Sequence, residues 1–186
     1  MRDSQQILDG REIDRILKRM ACEILEVHKN TGNVALVGIH TRGVFLARRL
    51  QKHIKAFDGG DLPVGEIDIT LYRDDWTQMS AQPVVKTTDI AFSVDNKQII
   101  LVDDVLYTGR TVRAAMDASI DFGRPSRIEL AVLVDRGHRE LPIQSNYTGH
   151  CIKTKRSELV NVLLQECDGE DKVTLTTIGD ETGQQG

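Results

Sequence analysis

The sequence predicts an α/β fold, a parallel sheet with helices on both faces. Three observations carry it. Short apolar runs such as "VALVGI" (34–39) and "QIILVDD" (98–104) alternate with stretches whose apolar residues recur at helical spacing. The first run is apolar throughout, as a strand covered on both faces should be. Three segments, "HTRG", "DDVLYTGRT" and "DRGHREL", leave strand ends as polar, glycine-containing turns. In open parallel sheets ligands bind beyond the carboxyl ends of the strands, so the three turns should converge on one crevice.

Taken in order, "LDGREIDRILKRMACEILEVHKNTG" opens with a helix. Asp9 is its N-cap and Glu12 completes a capping box. Ile13, Ile16, Leu17, Met20, Ala21, Ile24 and Leu25 form its apolar face, and "NTG" (30–32) stops it. After the strand at 34–39 and "HTRG", Val44, Ala47, Leu50 and Ile54 mark a second helix. "GEIDITLYRDD" (65–75) alternates and reads as a strand. The next twenty residues show no period, and a loop that long in a compact domain is usually functional. The strand at 98–104 precedes a helix over 111–122 with Val112, Ala115, Met116, Ser119 and Ile120 inward; "FGRP" ends it. "RIELAVLVDRG" (127–137) is a further strand. Weaker strands fall at 159–164 and 172–178, and the last eight residues, about 179–186, should fray.

A length of 186 residues suits one domain, and 40% hydrophobic with 28% charged residues is a globular profile. A net charge of −4 argues against bulk nucleic-acid binding, though not against a local basic face. Cys22, Cys151 and Cys167 are scattered and form no metal knuckle. "MRDSQQILDG" has no apolar signal core, and no apolar run approaches membrane-spanning length. A cytoplasmic protein with reduced thiols and no membrane partner is expected.

"VDDVLYTGRT" (102–111) carries the most chemistry. The amides of Tyr107, Thr108, Gly109, Arg110 and Thr111 lead into a helix N-terminus, Gly109 allows a tight turn, and two threonines add hydroxyl donors. That is a nest for a phosphate monoester. Asp103 and Asp104 carry the wrong charge for phosphate but suit two hydroxyls, or a divalent metal beside the phosphate. Ribose 5-phosphate fits both halves. On these ten residues alone, a strand end followed by Thr111 as N-cap is the other reading. No Walker A pattern is present. In "HTRG" (40–43), Arg42 beside free backbone amides suits pyrophosphate oxygens, or is an ordinary surface arginine. Arg136 leaves a strand end with a planar guanidinium, which can stack on a flat group. His138, with no located partner, is read as a surface or subunit-contact histidine rather than a general base. Glu66 and Asp68 are read as a polar strand face in preference to a metal site, and no protein-built metal site is expected.

"IILVDDVLYTGRT" resembles the phosphoribosyl pyrophosphate (PRPP) motif of type I phosphoribosyltransferases. "VGIHTRGVFLARRL", "GEIDITLYRDD", "VDDVLYTGRTVRAAMD" and "FGRPSRIELAVLVDRGHRELPI" resemble the PyrR family, bifunctional pyrimidine operon attenuators and uracil phosphoribosyltransferases. The likeness runs from about Ile7 to Val173. It implies a single phosphoribosyltransferase domain over 1–186, with a flexible loop over about 72–90 and a small hood over about 135–160. It implies conversion of uracil and PRPP to UMP and pyrophosphate, with Mg²⁺ arriving on PRPP. Vestigial catalysis in a UMP-sensing RNA-binding regulator, or a different base, are the alternatives. The resemblance makes Asp103, Asp104 and Arg42 catalytic. It places substrate contacts at Thr41, Gly43, Arg73, Val105, Leu106, the nest residues 107–111, Arg136 and Val160. It makes the "HTRG" segment the pyrophosphate loop, where the peptide before arginine is often cis and where a lysine is common in place of His40. Lys86 is a loop cation read as solvated, and Trp76 either covers the site or packs at a subunit contact.

The family's RNA face implies a homodimer or homotetramer and a pyr leader mRNA partner. Arg11, Arg15, Lys18 and Arg19 on the first helix, with Arg139, are the candidates here, and Lys29, Lys153, Lys155 and Arg156 extend the patch. Cys22, Val27 and Gln144 stand where the resemblance places histidine or arginine in RNA-binding members. Intact transfer with weak or lost sequence-specific RNA binding is therefore expected.

Overall fold

The computed structural model describes residues 4–58, 60–72 and 88–177. Two sheets are present. Strands β2 (Val34–Ile39), β3 (Val64–Ile67), β4 (Gln98–Leu106), β5 (Arg127–Asp135) and β6 (Tyr147–Cys151) form a five-stranded sheet in the order β3-β2-β4-β5-β6, parallel throughout. Strands β1 (Ser4–Asp9), β7 (Glu158–Leu163) and β8 (Lys172–Thr177) form a small antiparallel sheet in the order β1-β8-β7. Helices α1 (Gly10–Val27) and α2 (Arg42–Asp58) pack on one face of the large sheet, α3 (Arg110–Asp121) on the other, and a single turn, α4 (Gln165–Asp168), joins β7 to β8.

The continuous apolar runs follow from this sandwiching. Val34 and Leu36 of β2, Ile100 and Val102 of β4, and Ala131 and Leu133 of β5 point toward α1 and α2. Their neighbours Ala35, Val37, Ile99, Leu101, Leu130 and Val132 point toward α3. Period two persists, but both faces are buried. α1 begins where its sequence says: Asp9 accepts from Glu12 N–H at 2.8 Å and Glu12 accepts from Asp9 N–H at 2.8 Å. Such a cap contributes about 1 kcal/mol.

Several elements depart from expectation. The strand read over 65–75 ends at Ile67, because Asp68 Oδ1 accepts from Thr70 N–H (2.9 Å) and Thr70 Oγ1 (2.6 Å) and turns the chain into a tight helical turn at Thr70–Tyr72. α3 is rotated from its expected face. Ala114 and Ala118 are buried with Val112, Ala115 and Ser119, whereas Ile120 is 54% exposed. Small side chains let the helix lie close to the sheet. β1 and β6 have no apolar pattern in the sequence. β6 exists because β5 supplies a parallel edge, and Arg19 Nη2 caps it by donating to the Thr148 and Gly149 carbonyls at 3.1 and 2.5 Å. Of residues 135–160, β7 begins at Glu158 and enters the small sheet, while β6 belongs to the large one. Among the described residues no helix is long and apolar enough to cross a membrane.

A buried polar group ties α1 to the strand starts. His28 Nε2 lies 2.7 Å from Glu129 Oε2 and 3.1 Å from the Tyr147 hydroxyl, which donates to the same carboxylate at 2.9 Å. Burial, then the Glu129 bond, raise the Tyr147 phenol above its ordinary value. The folded chain therefore holds that proton more tightly than the unfolded chain. The contribution is complete below the ordinary phenol value of about 10 and is lost as pH rises through the folded value. Tyr147→Phe is expected to lower unfolding free energy by about 1.5–3 kcal/mol at neutral pH and to flatten the loss of stability above about pH 10. Urea unfolding across pH 7 to 11 measures both; an unchanged alkaline slope would contradict the assignment.

Candidate active site

The carboxyl ends of β2, β4 and β5 lie on one edge of the parallel sheet and bring the three polar turns together. Gly43, the second residue of α2, rests on the backbone of β4. A Cβ there would run into the Val102 carbonyl oxygen and lie 3.2 Å from Asp103 Cα. Absence of a side chain therefore lets the "HTRG" turn approach the acidic pair. The peptide between His40 and Thr41 is cis, one bond earlier than the resemblance implied. On the other side, the Arg136 guanidinium carbon stacks 4.2 Å from the Tyr107 ring centre, and Arg139 Nη1 donates to the Tyr107 carbonyl at 2.8 Å.

Asp103 is buried and Asp104 half-buried at this edge. Backbone amides reach both: Asp103 Oδ1 accepts from Asp104 N–H and Asp104 Oδ1 from Val105 N–H, each at 2.9 Å. Desolvation, then the neighbouring Asp104 charge, push Asp103 well above the carboxylate range. Desolvation also raises Asp104, against the pull of its hydrogen bonds and of Arg42. These are two acids held out of water with no hydrogen-bonded cation among the described residues, a state that donors from a ligand would relieve. Gly109, at φ 92°, is the N-cap of α3, so the 107–111 turn runs into the first helical turn, whose amides have no intrahelical acceptors.

The remaining candidates fall as follows. Thr41 and Arg42 lie in the turn, and Arg42 is bound bidentately by Asp168, with Nε–Oδ2 at 3.1 Å and Nη2–Oδ1 at 2.8 Å. Val105 and Leu106 pack into the two apolar layers, leaving their backbone at the edge. Thr108 O accepts from Glu140 and Leu141 N–H, and Arg110 Nε donates to Glu140 Oε2 at 2.8 Å. Arg136 is only 4% exposed and donates to Thr154 Oγ1 and the Lys155 carbonyl. Val160, on β7, is buried in the apolar cluster that includes α1 and α2. His138 has a partner in its own chain, donating from Nε2 to the Thr154 carbonyl at 2.6 Å. Glu66 faces α2, paired with Arg48 and 3.4 Å from His40 Nε2. Arg73, Asp74, Asp75, Trp76, Lys86 and the tail at 179–186 lie outside the described residues.

Sequence reasoning missed the acids of "ECDGED" (166–171), whose signal was a run of carboxylates beyond a strand. Among the described residues no three His, Cys, Asp or Glu side chains group as a metal cage. The paired oxygen donors of Asp103 and Asp104 nevertheless fit a hard cation that keeps most of its ligands on a substrate.

Comparison defines the class. The phosphoribosyl transferase domain family matches residues 3–163. The fold is similar to a hypoxanthine phosphoribosyltransferase of Trypanosoma cruzi (TM-score 0.72, 16% identity, covering 93% of this chain and 90% of that one). It is also similar to one from Staphylococcus aureus (0.68, 19%, 96% and 94%). Within that class, the chain is 59% identical over 169 residues to the bifunctional protein PyrR of Elusimicrobium minutum, covering 91% of this chain and 94% of that one. It is 55% identical over 175 residues to that of Thermus thermophilus, covering 94% and 97%. The chain belongs to the PyrR family of phosphoribosyltransferases.

Proposed function

We propose that the protein is a uracil phosphoribosyltransferase, converting uracil and PRPP to UMP and pyrophosphate, and a pyrimidine-responsive regulator of pyr operon expression. The observation that carries the catalytic half is the seat of Gly43 on the Val102–Asp103 backbone. It sets an arginine turn against the acidic pair of β4, and α3 begins a few residues further on, so one edge offers partners for pyrophosphate, ribose hydroxyls and a 5′-phosphate.

Transfer breaks the bond from C1 of the ribose to pyrophosphate and forms one from C1 to uracil N1, whose proton passes to water or to the released pyrophosphate; the transition state carries positive charge on the sugar and negative charge on the leaving group. Asp103 and Asp104 accept from the ribose hydroxyls, and Asp104 favours the cationic sugar. The α3 N-terminus with Thr108, Gly109 and Thr111 seats the 5′-phosphate. Arg42 and Arg73 draw off the pyrophosphate charge. The Arg136–Tyr107 stack is the planar surface beside the base. Asp103 and Asp104 are the carboxylates that would hold magnesium carried by PRPP, which when bound neutralises pyrophosphate charge. Exclusion of water from the sugar centre is the role read for residues 72–90. The family supports a homodimer or homotetramer in the cytoplasm. Purified protein assayed with PRPP and each of uracil, hypoxanthine, guanine and orotate is expected to form UMP and to leave the other bases essentially unused. A purine nucleotide as the main product would overturn the base assignment.

The regulatory half rests on a narrower surface. Of the five RNA candidates, Arg11 and Arg15 are exposed without a hydrogen bond or ion pair among the described residues. Lys18 pairs with Asp14 and Arg19 with Glu23. Arg139 is turned inward onto Asp135 and the carbonyls of Tyr107 and Ile143. Binding of a pyrimidine-leader hairpin is therefore expected to be weak and to vanish with added salt. A filter-binding series against a scrambled hairpin measures this; tight, UMP-enhanced, sequence-selective binding at physiological salt would contradict it.

A further inference from the structure

Asp168, at the end of α4, takes the Nε and Nη2 edge of Arg42 with both carboxylate oxygens. Arg42 Nη1 has no hydrogen-bond partner among the described residues. Asp168 is itself fixed: Oδ2 also accepts from Leu164 N–H at 2.8 Å and from the Cys167 thiol at 3.1 Å. The single turn that carries it is anchored a second time. Arg49, seven residues beyond Arg42 and so on the same face of α2, binds Glu166 (2.8 and 2.6 Å) and Asp171 (3.1 and 2.7 Å). Asp171 Oδ1 accepts from Gln165 N–H at 2.9 Å. Three carboxylates from the turn between β7 and β8 thus grip two arginines of the helix that begins at the pyrophosphate turn.

We propose that Asp168 is a positioning residue for the transfer reaction, holding Arg42 by one edge of its guanidinium so that the other edge is preorganised for pyrophosphate oxygens. The inference rests on the reading of Arg42 as a pyrophosphate ligand. An arginine offers two edges for bidentate bonding, and a carboxylate on one leaves the second usable. A long side chain at the first position of a helix is otherwise free to rotate, and ordering it on binding weakens affinity. The interaction is strong enough to shape both partners: the bond from Asp168 raises Arg42, and the Arg42 bond takes Asp168 down to about 2. The bracket therefore stays ionised throughout the working pH range, and its effect is geometric rather than a pH switch.

The test is steady-state kinetics on the full chain with PRPP and uracil, and with pyrophosphate as product inhibitor. Asp168→Asn keeps the size but loses the charge. It is expected to raise KM for PRPP and the pyrophosphate inhibition constant together by about tenfold, with KM for uracil and kcat within about threefold. Glu166→Gln loosens the same turn but leaves the Arg42 pair and the Asp171 anchor, and should leave KM for PRPP within about twofold. If both variants raise it equally, Asp168 acts only through the folding of α4 and the inference is overturned. A fall in KM for PRPP in Asp168→Asn would mean that Asp168 competes with pyrophosphate, and would also overturn it. So would an unchanged KM in Asp168→Asn while Arg42→Ala raises it, with the reading of Arg42 intact. If Arg42→Ala itself changes neither constant, the reading of Arg42 falls first.

Discussion

Two adjacent carboxylates at the carboxyl end of β4 set the terms for the rest of the molecule. Asp103 is buried and Asp104 half-buried, and desolvation raises both above the ordinary carboxylate range. Raised values mean that the ligand-free folded chain binds these protons more tightly than the unfolded chain does. Between the ordinary and folded values, rising pH therefore costs stability. Such a pair is stable only where the surrounding backbone supplies partners, as the amides of Asp104 and Val105 do. Parallel strands place that cost at one edge, where helix N-termini and polar turns also gather. Hydroxyl donors placed at this edge would relieve that cost.

The turns around the acids are built to approach them rather than to neutralise them. Gly43 brings the "HTRG" turn onto the β4 backbone without a side chain between, and Gly109 in the left-handed region directs the chain into α3. Arg42, whose charge acts on Asp104, is held by Asp168 instead. Arg136 is stacked on Tyr107 and bonded to residues 154 and 155. Positive charge is thus present at the edge but already tethered, which limits its collapse onto the acids.

The sequence made the main sheet legible because its strands are covered on both faces. Residues 34–39, 98–104 and 127–135 have no polar alternation to confuse, and Asp9 with Glu12 marks the start of α1 unambiguously. The candidate crevice could be read from sequence because much of it is contiguous: Asp103 to Thr111 occupy one strand end and one helix start. What was hidden depends on distant partners. β6 reads as "YTGHC" and is a strand only because β5 leaves an edge for it. The end of β3 at Ile67 is set by one carboxylate bonding two residues ahead, which local alternation does not reveal. The Asp168 contact joins residues 126 apart, so no window of sequence contains it.

If the acidic pair stabilises the reacting sugar rather than merely ending a strand, Asp104→Asn shows it in steady-state UMP formation set beside UMP titration calorimetry. Turnover is expected to fall by about a hundredfold or more and UMP affinity by far less, because the Asn amide oxygen still accepts from a ribose hydroxyl while the charge that favours the cationic sugar is gone. Turnover equal to that of the parent protein would contradict it.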